Sequence, residues 1–207
     1  MASNLDMGKN FFPIEICGGI ASGKTTFATL LKEVGIDVVF ENFEINPFWK
    51  AFYSDPTRYA FETELTFLLQ HYHQIKVANY KKENFVCDFS LILDLAYANI
   101  TLNNLQREAF LSIYQHIKLE LPPSSLLIYL RCDPSIELER IKVRGRSTEQ
   151  SIDITFLGKL NQSLEKCVSE IATSINVIVI DSSKQDFIND EMVKQNLVGK
   201  VQNTLQI

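Results

Sequence analysis

The stretch Gly18-Gly19-Ile20-Ala21-Ser22-Gly23-Lys24-Thr25, continued by Thr26, carries the residues best suited to chemistry. It fits the pattern G-x-x-x-x-G-K-[ST]. Glycines let successive backbone N–H groups turn inward, and a helix starting at the end of the run adds positive potential. The segment therefore predicts a cradle for phosphate oxygens. Lys24 is expected to reach the β- and γ-phosphates of ATP, and the Thr25 hydroxyl to bind Mg²⁺. Two carboxylates, Glu41 and Asp88, close the short apolar runs VVFE and FVCD. One could help hold the metal; the other could accept a proton from a hydroxyl that attacks the γ-phosphate. Arg140, Lys142, Arg144 and Arg146 fall within seven residues. Arg140 and Arg144 are one helical turn apart and share a face. Guanidinium forks suit phosphoryl oxygens, and Gly145 breaks the helical pattern among them, as a lid closing over phosphates would require.

Each feature has a plainer reading. A glycine-rich turn can carry an ordinary lysine. A strand-end acid can cap a helix, and a charge run with Glu137 and Glu139 beside it can be a solvated face. Placement decides between the readings. The glycine run lies between an apolar strand pattern, Pro13 to Ile20, and a helical one, Lys24 to Val34, with Phe27, Leu30, Leu31 and Val34 on one side. Val38 to Glu41, Phe85 to Asp88, Leu126 to Cys132 and Val177 to Asp181 read as four further strands. Asp55-Pro56 opens a long helix with Phe61, Leu65, Leu68, Leu69, Tyr72 and Ile75 on its apolar face. Two helices run from about Leu91 and from about Asn103 to Glu120, where Pro122-Pro123 stops the second. Asp133-Pro134 caps another. Ile154 to Ile171 is helical, and a terminal helix runs from Phe187. Strands separated by helices predict an α/β fold with a parallel sheet covered on both faces. In such a sheet ligands gather at the carboxyl ends of the strands, where Glu41 and Asp88 stand. No linker divides the chain, so residues 1–207 are expected to form one domain with a lid at about 140–150.

The 207 residues carry 20 Lys and Arg against 25 Asp and Glu, a net charge of −5. This argues against a nucleic-acid polymer or a membrane surface as partner. Apolar residues make up 46%, as in an ordinary globular chain, and no run is long enough to span a membrane. Met1 to Phe12 has no apolar core and does not read as a signal peptide. Cys17, Cys87, Cys132 and Cys167 have no zinc-ligand spacing and read as reduced, buried thiols of a cytoplasmic protein. His71, His73 and His116 show no ligand spacing either. Ser183-Lys184-Gln185-Asp186 only partly resembles a GTPase base-reading motif, and no Asp-x-x-Gly accompanies it.

The order of these parts resembles the deoxynucleoside kinase family, which includes bacterial deoxyadenosine and deoxyguanosine kinases and animal deoxycytidine kinase. GGIASGKTT from Gly18, ENFEINP from Glu41 with FWKAFYSDPTRYAF after it, the segment from Asp88, and RIKVRGRSTEQ from Arg140 carry the likeness. The resemblance implies a P-loop kinase fold with strand order 2-3-1-4-5, an arginine-rich lid, a homodimer, and transfer of the ATP γ-phosphate to a nucleoside 5′-hydroxyl in nucleotide salvage. By position it implies Glu41 as general base in contact with the substrate, and Asp88 as an acid beside substrate and Mg²⁺. Arg140, Arg144 and Arg146 match lid arginines, with Arg144 also on ATP. Glu149 matches a lid acid for the sugar 3′-hydroxyl, and Phe187 lies where an adenine-side loop follows the last strand.

Two positions depart from the family pattern. Asp88-Phe89-Ser90 has phenylalanine where an arginine usually follows the acid. Glu64 stands where a base-reading glutamine is usual; an ionised carboxylate offers acceptors only, which suits guanine N1–H and its 2-amino group, or the similar edge of a pterin. Phe52 and Tyr53 are among the aromatics able to stack on a flat base. Two alternatives stay open: a kinase for another small molecule, such as a nucleoside monophosphate or a pterin-like alcohol, and a nucleotide-binding sensor without catalysis.

Overall fold

The computed structural model describes residues 13–79 and 85–205. The segment Met1 to Phe12, read above as lacking a signal peptide, lies outside the described residues. Five strands, β1 (Ile14–Gly18), β2 (Asp37–Val39), β3 (Phe85–Cys87), β4 (Leu126–Arg131) and β5 (Asn176–Asp181), form one parallel sheet in the order β2-β3-β1-β4-β5. Register pairs Ile14 with Val86 on one side and with Leu126 on the other. The helices are α1 (Lys24–Glu33), α2 (Trp49–Ser54), α3 (Pro56–Asn79), α4 (Leu91–Thr101), α5 (Asn104–Glu120), α6 (Pro134–Arg144), α7 (Ile154–Ile171) and α8 (Glu191–Leu205).

Strand alternation divides the core between two faces. Ile14, Ile16 and Ile128 pack with Phe27 and Leu31 of α1 and Val198 and Val201 of α8. Cys17, Leu127 and Tyr129 pack on the opposite face with Ile92 and Ala96 of α4 and Leu160 and Leu164 of α7. Phe27 is fully buried and meets Phe187 edge to face at 5.5 Å. Phe27→Ala is expected to lower unfolding stability by about 3–5 kcal/mol, since it removes a ring and leaves a cavity. A urea titration checks this, and a loss below about 1 kcal/mol would show that the site collapses around the smaller side chain.

Several local expectations change. β2 ends at Val39 and is only partly buried, because it is an edge strand; the run VVFE continues as a loop that carries Glu41. The buried face of α3 is Ala60, Thr63, Glu64, Leu68, His71, Ile75 and Ala78, so it is turned from the expected stripe and Leu69 is exposed. That face lines the site, which accounts for its polar members. The last helix starts at Glu191 rather than Phe187: Asp186 and Asp190 take the N–H groups of the intervening turn and the first helical turn. Helix α2 was not anticipated. Asp133 caps α6 as expected, and Gly145 ends it at φ 67°. The four cysteines are buried and free. Among the described residues no helix is long and apolar enough to cross a membrane.

Candidate active site

The loop joining β1 to α1 is shaped by what it cannot accommodate. A Cβ on Gly18 would lie 2.7 Å from the Leu130 carbonyl oxygen, and Gly23 has φ +102°. Ala21 also sits in the left-handed region, at φ 58°, a conformation that needs surrounding support. Part of that support is Arg140, which donates to the carbonyls of Ala21 at 3.3 Å, Ser22 at 3.5 Å and Ser182 at 2.7 Å. Lys24 Nζ donates to the carbonyls of Gly18 and Gly19 at 3.0 Å each. The loop therefore presents N–H groups and a cation at the start of α1, a geometry that binds phosphate.

Two cavities open on either side of this loop. The larger, of 560 Å³, is lined by Gly23 to Thr26, Arg140, Arg144 and the segment Ser182 to Asn189, which includes Phe187. The smaller, of 220 Å³, is lined by Glu41, Phe52, Tyr53, Glu64, Asp88 and Glu149 among others. Ala21, Lys24, Thr25 and Arg144 line both. A phosphoryl donor in the first and an acceptor in the second would therefore meet at Lys24.

Local contacts fix the acids around that seam. Ser90 caps α4 by accepting from Ile92 N–H at 3.0 Å, which sets the chain direction just after Asp88. Asp88 is buried and its Oδ1 has no hydrogen-bond partner among the described residues. Burial pushes its carboxyl up to about 6, against a hydrogen bond from Thr25 and the charge of Lys24. An orphaned carboxylate oxygen beside a threonine hydroxyl is a donor set that suits Mg²⁺, which takes few protein ligands and completes its shell with water and phosphate. On the next strand, Gln74 of α3 donates to the Phe40 carbonyl at 3.1 Å and fixes the loop that carries Glu41. Burial would raise the Glu41 carboxyl, but His71, Lys24 and Arg146 hold it below its usual value.

The segment from Arg144 to Glu149 closes on itself. Glu149 is buried and accepts from Arg144 at 2.5 Å and from Arg146 at 3.2 Å, while Arg146 lies over the Phe43 ring at 4.4 Å. Arg144 and Arg146 thus reach the smaller cavity together with Glu149, whereas Arg140 is bonded into the phosphate loop. Phe52 is buried and Tyr53 stands edge-on to it at 5.3 Å. In the same cavity Glu64 is buried and accepts a hydrogen bond from Thr101 at 3.3 Å. Burial and the nearby Asp94 push its carboxyl well above the usual range. The structure thus gathers Glu41, Glu64, Asp88, Glu149, Arg144 and Arg146 around one cavity.

Two residues of this site escaped the sequence reading. His71 is buried, with Nδ1 at 2.8 and 3.0 Å from the two Asp94 carboxylate oxygens and Nε2 3.4 Å from Glu41 Oε1. A signal for His71 existed: it lies seven residues after Glu64, on the same helical face. Asp94 was marked by being the lone acid in the apolar run LILDLAYANI.

Comparison with known proteins agrees with this geometry. Residues 14–206 match the family model described as "Deoxynucleoside kinase". The chain is 26% identical over 200 residues to a deoxyguanosine kinase of Bacillus subtilis (strain 168), covering 93% of this chain and 97% of that one. It is 30% identical over 192 residues to a deoxyguanosine kinase of Dictyostelium discoideum, covering 87% and 67%. Among solved structures, deoxyadenosine kinase from M. mycoides with bound dCTP superposes with a TM-score of 0.78 at 23% identity, over 93% of this chain and 100% of that chain.

Proposed function

Because the chain belongs to the deoxynucleoside kinase family, we propose that it transfers the γ-phosphoryl group of ATP to the 5′-hydroxyl of a purine deoxynucleoside, with guanine-type bases favoured, in nucleotide salvage. The observation that carries this reading is the pair of cavities meeting at Ala21, Lys24, Thr25 and Arg144. Donor and acceptor cavities that share a cation and a phosphate loop fit direct transfer between two bound substrates. The residues from Gly18 to Thr26 hold the ATP phosphates, and the loop around Phe187 receives the adenine side. Thr25 and Asp88 would hold Mg²⁺, which when bound neutralises charge on the phosphate oxygens. Glu41 orients the 5′-hydroxyl and takes its proton. Lys24, Arg144 and Arg146 oppose the charge that grows on the transferred group, with Arg140 keeping the loop in register. Glu149 is assigned to the sugar 3′-hydroxyl, and Phe52 and Tyr53 to the walls that exclude water. Residues 1–207 acting as one domain with a lid at about 140–150, a homodimeric state and a cytoplasmic site of action belong to the same proposal; light scattering checks the dimer.

Glu64 carries the choice of base. Burial favours its neutral acid, which offers one donor and one acceptor and complements the N6–H and N1 of adenine. Guanine presents two adjacent N–H donors, which stabilise the carboxylate instead. Guanine binding therefore releases a proton from Glu64 and strengthens as pH rises, while adenine binding does not. Glu64→Gln is expected to reduce the deoxyguanosine-to-deoxyadenosine ratio of kcat/KM by roughly tenfold and to flatten its dependence on pH. An unchanged ratio with an unchanged pH profile would remove Glu64 from base selection.

The reading as a whole is tested by ADP release from ATP and Mg²⁺ across a panel of purine and pyrimidine nucleosides, nucleoside monophosphates and pterin alcohols. ADP formed with deoxynucleosides supports it. ADP formed only with a monophosphate or a pterin alcohol would move the protein to another acceptor, and ATP binding without turnover would indicate a sensor.

A further inference from the structure

The buried His71 lies between two carboxylates on two different elements. Asp94, in the first turn of α4, faces Nδ1 through both its oxygens at 2.8 and 3.0 Å; Glu41, in the loop after β2, faces Nε2 at 3.4 Å. Nε2 is buried and has no hydrogen-bond partner among the described residues; Glu41, at ion-pair distance, is the acceptor it faces. Only the imidazolium offers N–H at both nitrogens; a neutral ring would turn a lone pair toward one of the carboxylates. The ring stacks on Phe89 at 4.2 Å with an interplanar angle of 10°, and lies 5.9 Å from Phe67. Two flat neighbours restrict rotation of the ring, and Asp94 sits where the positive end of α4 stabilises an anion.

We propose that His71 is a positioning residue for Glu41: an imidazolium anchored by Asp94 and stacked on Phe89, which keeps the Glu41 carboxylate ionised and aimed at the seam between the two cavities. This rests on the assignment of Glu41 as the group that receives the hydroxyl proton. A glutamate on a loop would otherwise sample several rotamers, and misplacement by about 1 Å can reduce a rate by as much as about a hundredfold. The surrounding charges agree. Glu64 on the same helix and Asp88 beyond Glu41 add negative potential, while Lys24 and Arg146 act on Glu41 from the phosphate side. Burial would lower the His71 pKa, but Asp94 and Glu41 outweigh it and push it up to about 10. The ring therefore stays charged over the range in which a kinase is assayed.

The sign of the effect follows from linkage. Removing the cation leaves burial at Glu41 opposed by Lys24 and Arg146 without the larger effect of His71, so its pKa rises and the acid limb of the pH–rate profile moves upward. His71→Gln and His71→Asn are expected to shift that limb of kcat/KM up by roughly one to two pH units. The same variants should reduce kcat roughly tenfold to fiftyfold and leave ATP affinity by calorimetry within about twofold. A second readout needs no substrate. Nitrogen NMR of histidine-labelled protein should show both ring nitrogens of His71 protonated at pH 7.5, and Glu41→Gln should lower the pH at which the ring loses its proton. A neutral His71 at pH 7.5, a titration indifferent to Glu41→Gln, or variants with an unmoved acid limb would each overturn the proposal. If no nucleoside is phosphorylated by the unaltered protein, the kinase reading fails, while the NMR result still decides the coupling between His71 and Glu41.

Discussion

Glu41→Gln is expected to reduce phosphoryl transfer by at least about a hundredfold while leaving ATP binding as it is. The amide keeps the shape of the side chain and can still accept from the 5′-hydroxyl through its oxygen. It cannot take the proton, and it presents an N–H₂ group where the carboxylate had a second acceptor. ATP affinity should hold because Glu41 lines the 220 Å³ cavity and is absent from the lining of the 560 Å³ one. Steady-state kinetics with the best nucleoside, together with calorimetric titration of ATP, separates the two effects. Full turnover in this variant would take the base role from Glu41. A loss of ATP affinity equal to the loss of rate would show that the substitution disturbs the phosphate loop instead.

Lys24→Met is expected to lower kcat by about 10²–10³, the loss commonly seen when one preorganised donor is taken from a transition state. Four residues line both cavities, Ala21, Lys24, Thr25 and Arg144, and of the two cations among them Lys24 is the one in the phosphate loop. Methionine keeps much of the aliphatic length and removes the charge, so the fold should persist. The substitution also removes two hydrogen bonds, to the carbonyls of Gly18 and Gly19. A parallel urea titration therefore guards against a trivial explanation: unfolding stability should change by no more than about 2 kcal/mol. A variant with ordinary kcat and only a raised KM for ATP would place Lys24 in ground-state binding alone.

Much of the framework was legible because its signals are local. The glycine run, the apolar strand before it and the helix after it are contiguous, so the phosphate loop could be read without knowledge of the tertiary structure. Strand order 2-3-1-4-5 came from the family resemblance, and the structure agrees with it. The boundaries of α6 were written in Asp133-Pro134 and Gly145, each with its own backbone reason.

The rest depends on contacts between distant elements. The stripe expected on α3 followed apolar residues, yet the side that is buried carries Thr63, Glu64 and His71, because it faces a cavity that needs polar groups. Periodicity marks a helix but does not say which side a ligand will occupy. Phe89 looked like the loss of a useful cation at the end of β3. In the fold it is the surface on which the His71 ring stacks, and the nitrogen group next to Glu41 comes from α3 instead. Arg140 and Arg144, one turn apart, looked equivalent. Arg140 is tied to three backbone carbonyls around the phosphate loop, whereas Arg144 pairs with Glu149. Spacing places two side chains on one face; it does not choose their partners.

On the proposed function, two bound substrates meet at the Lys24 seam and exchange a phosphoryl group. Phosphorus NMR of a reaction holding this protein, ATP, Mg²⁺ and deoxyguanosine tests it most directly. A new phosphomonoester resonance coupled to the 5′-methylene protons of the nucleoside is expected, growing in step with ADP. ATP that stays intact while bound, or ADP that accumulates with inorganic phosphate and no 5′-monophosphate, would contradict it.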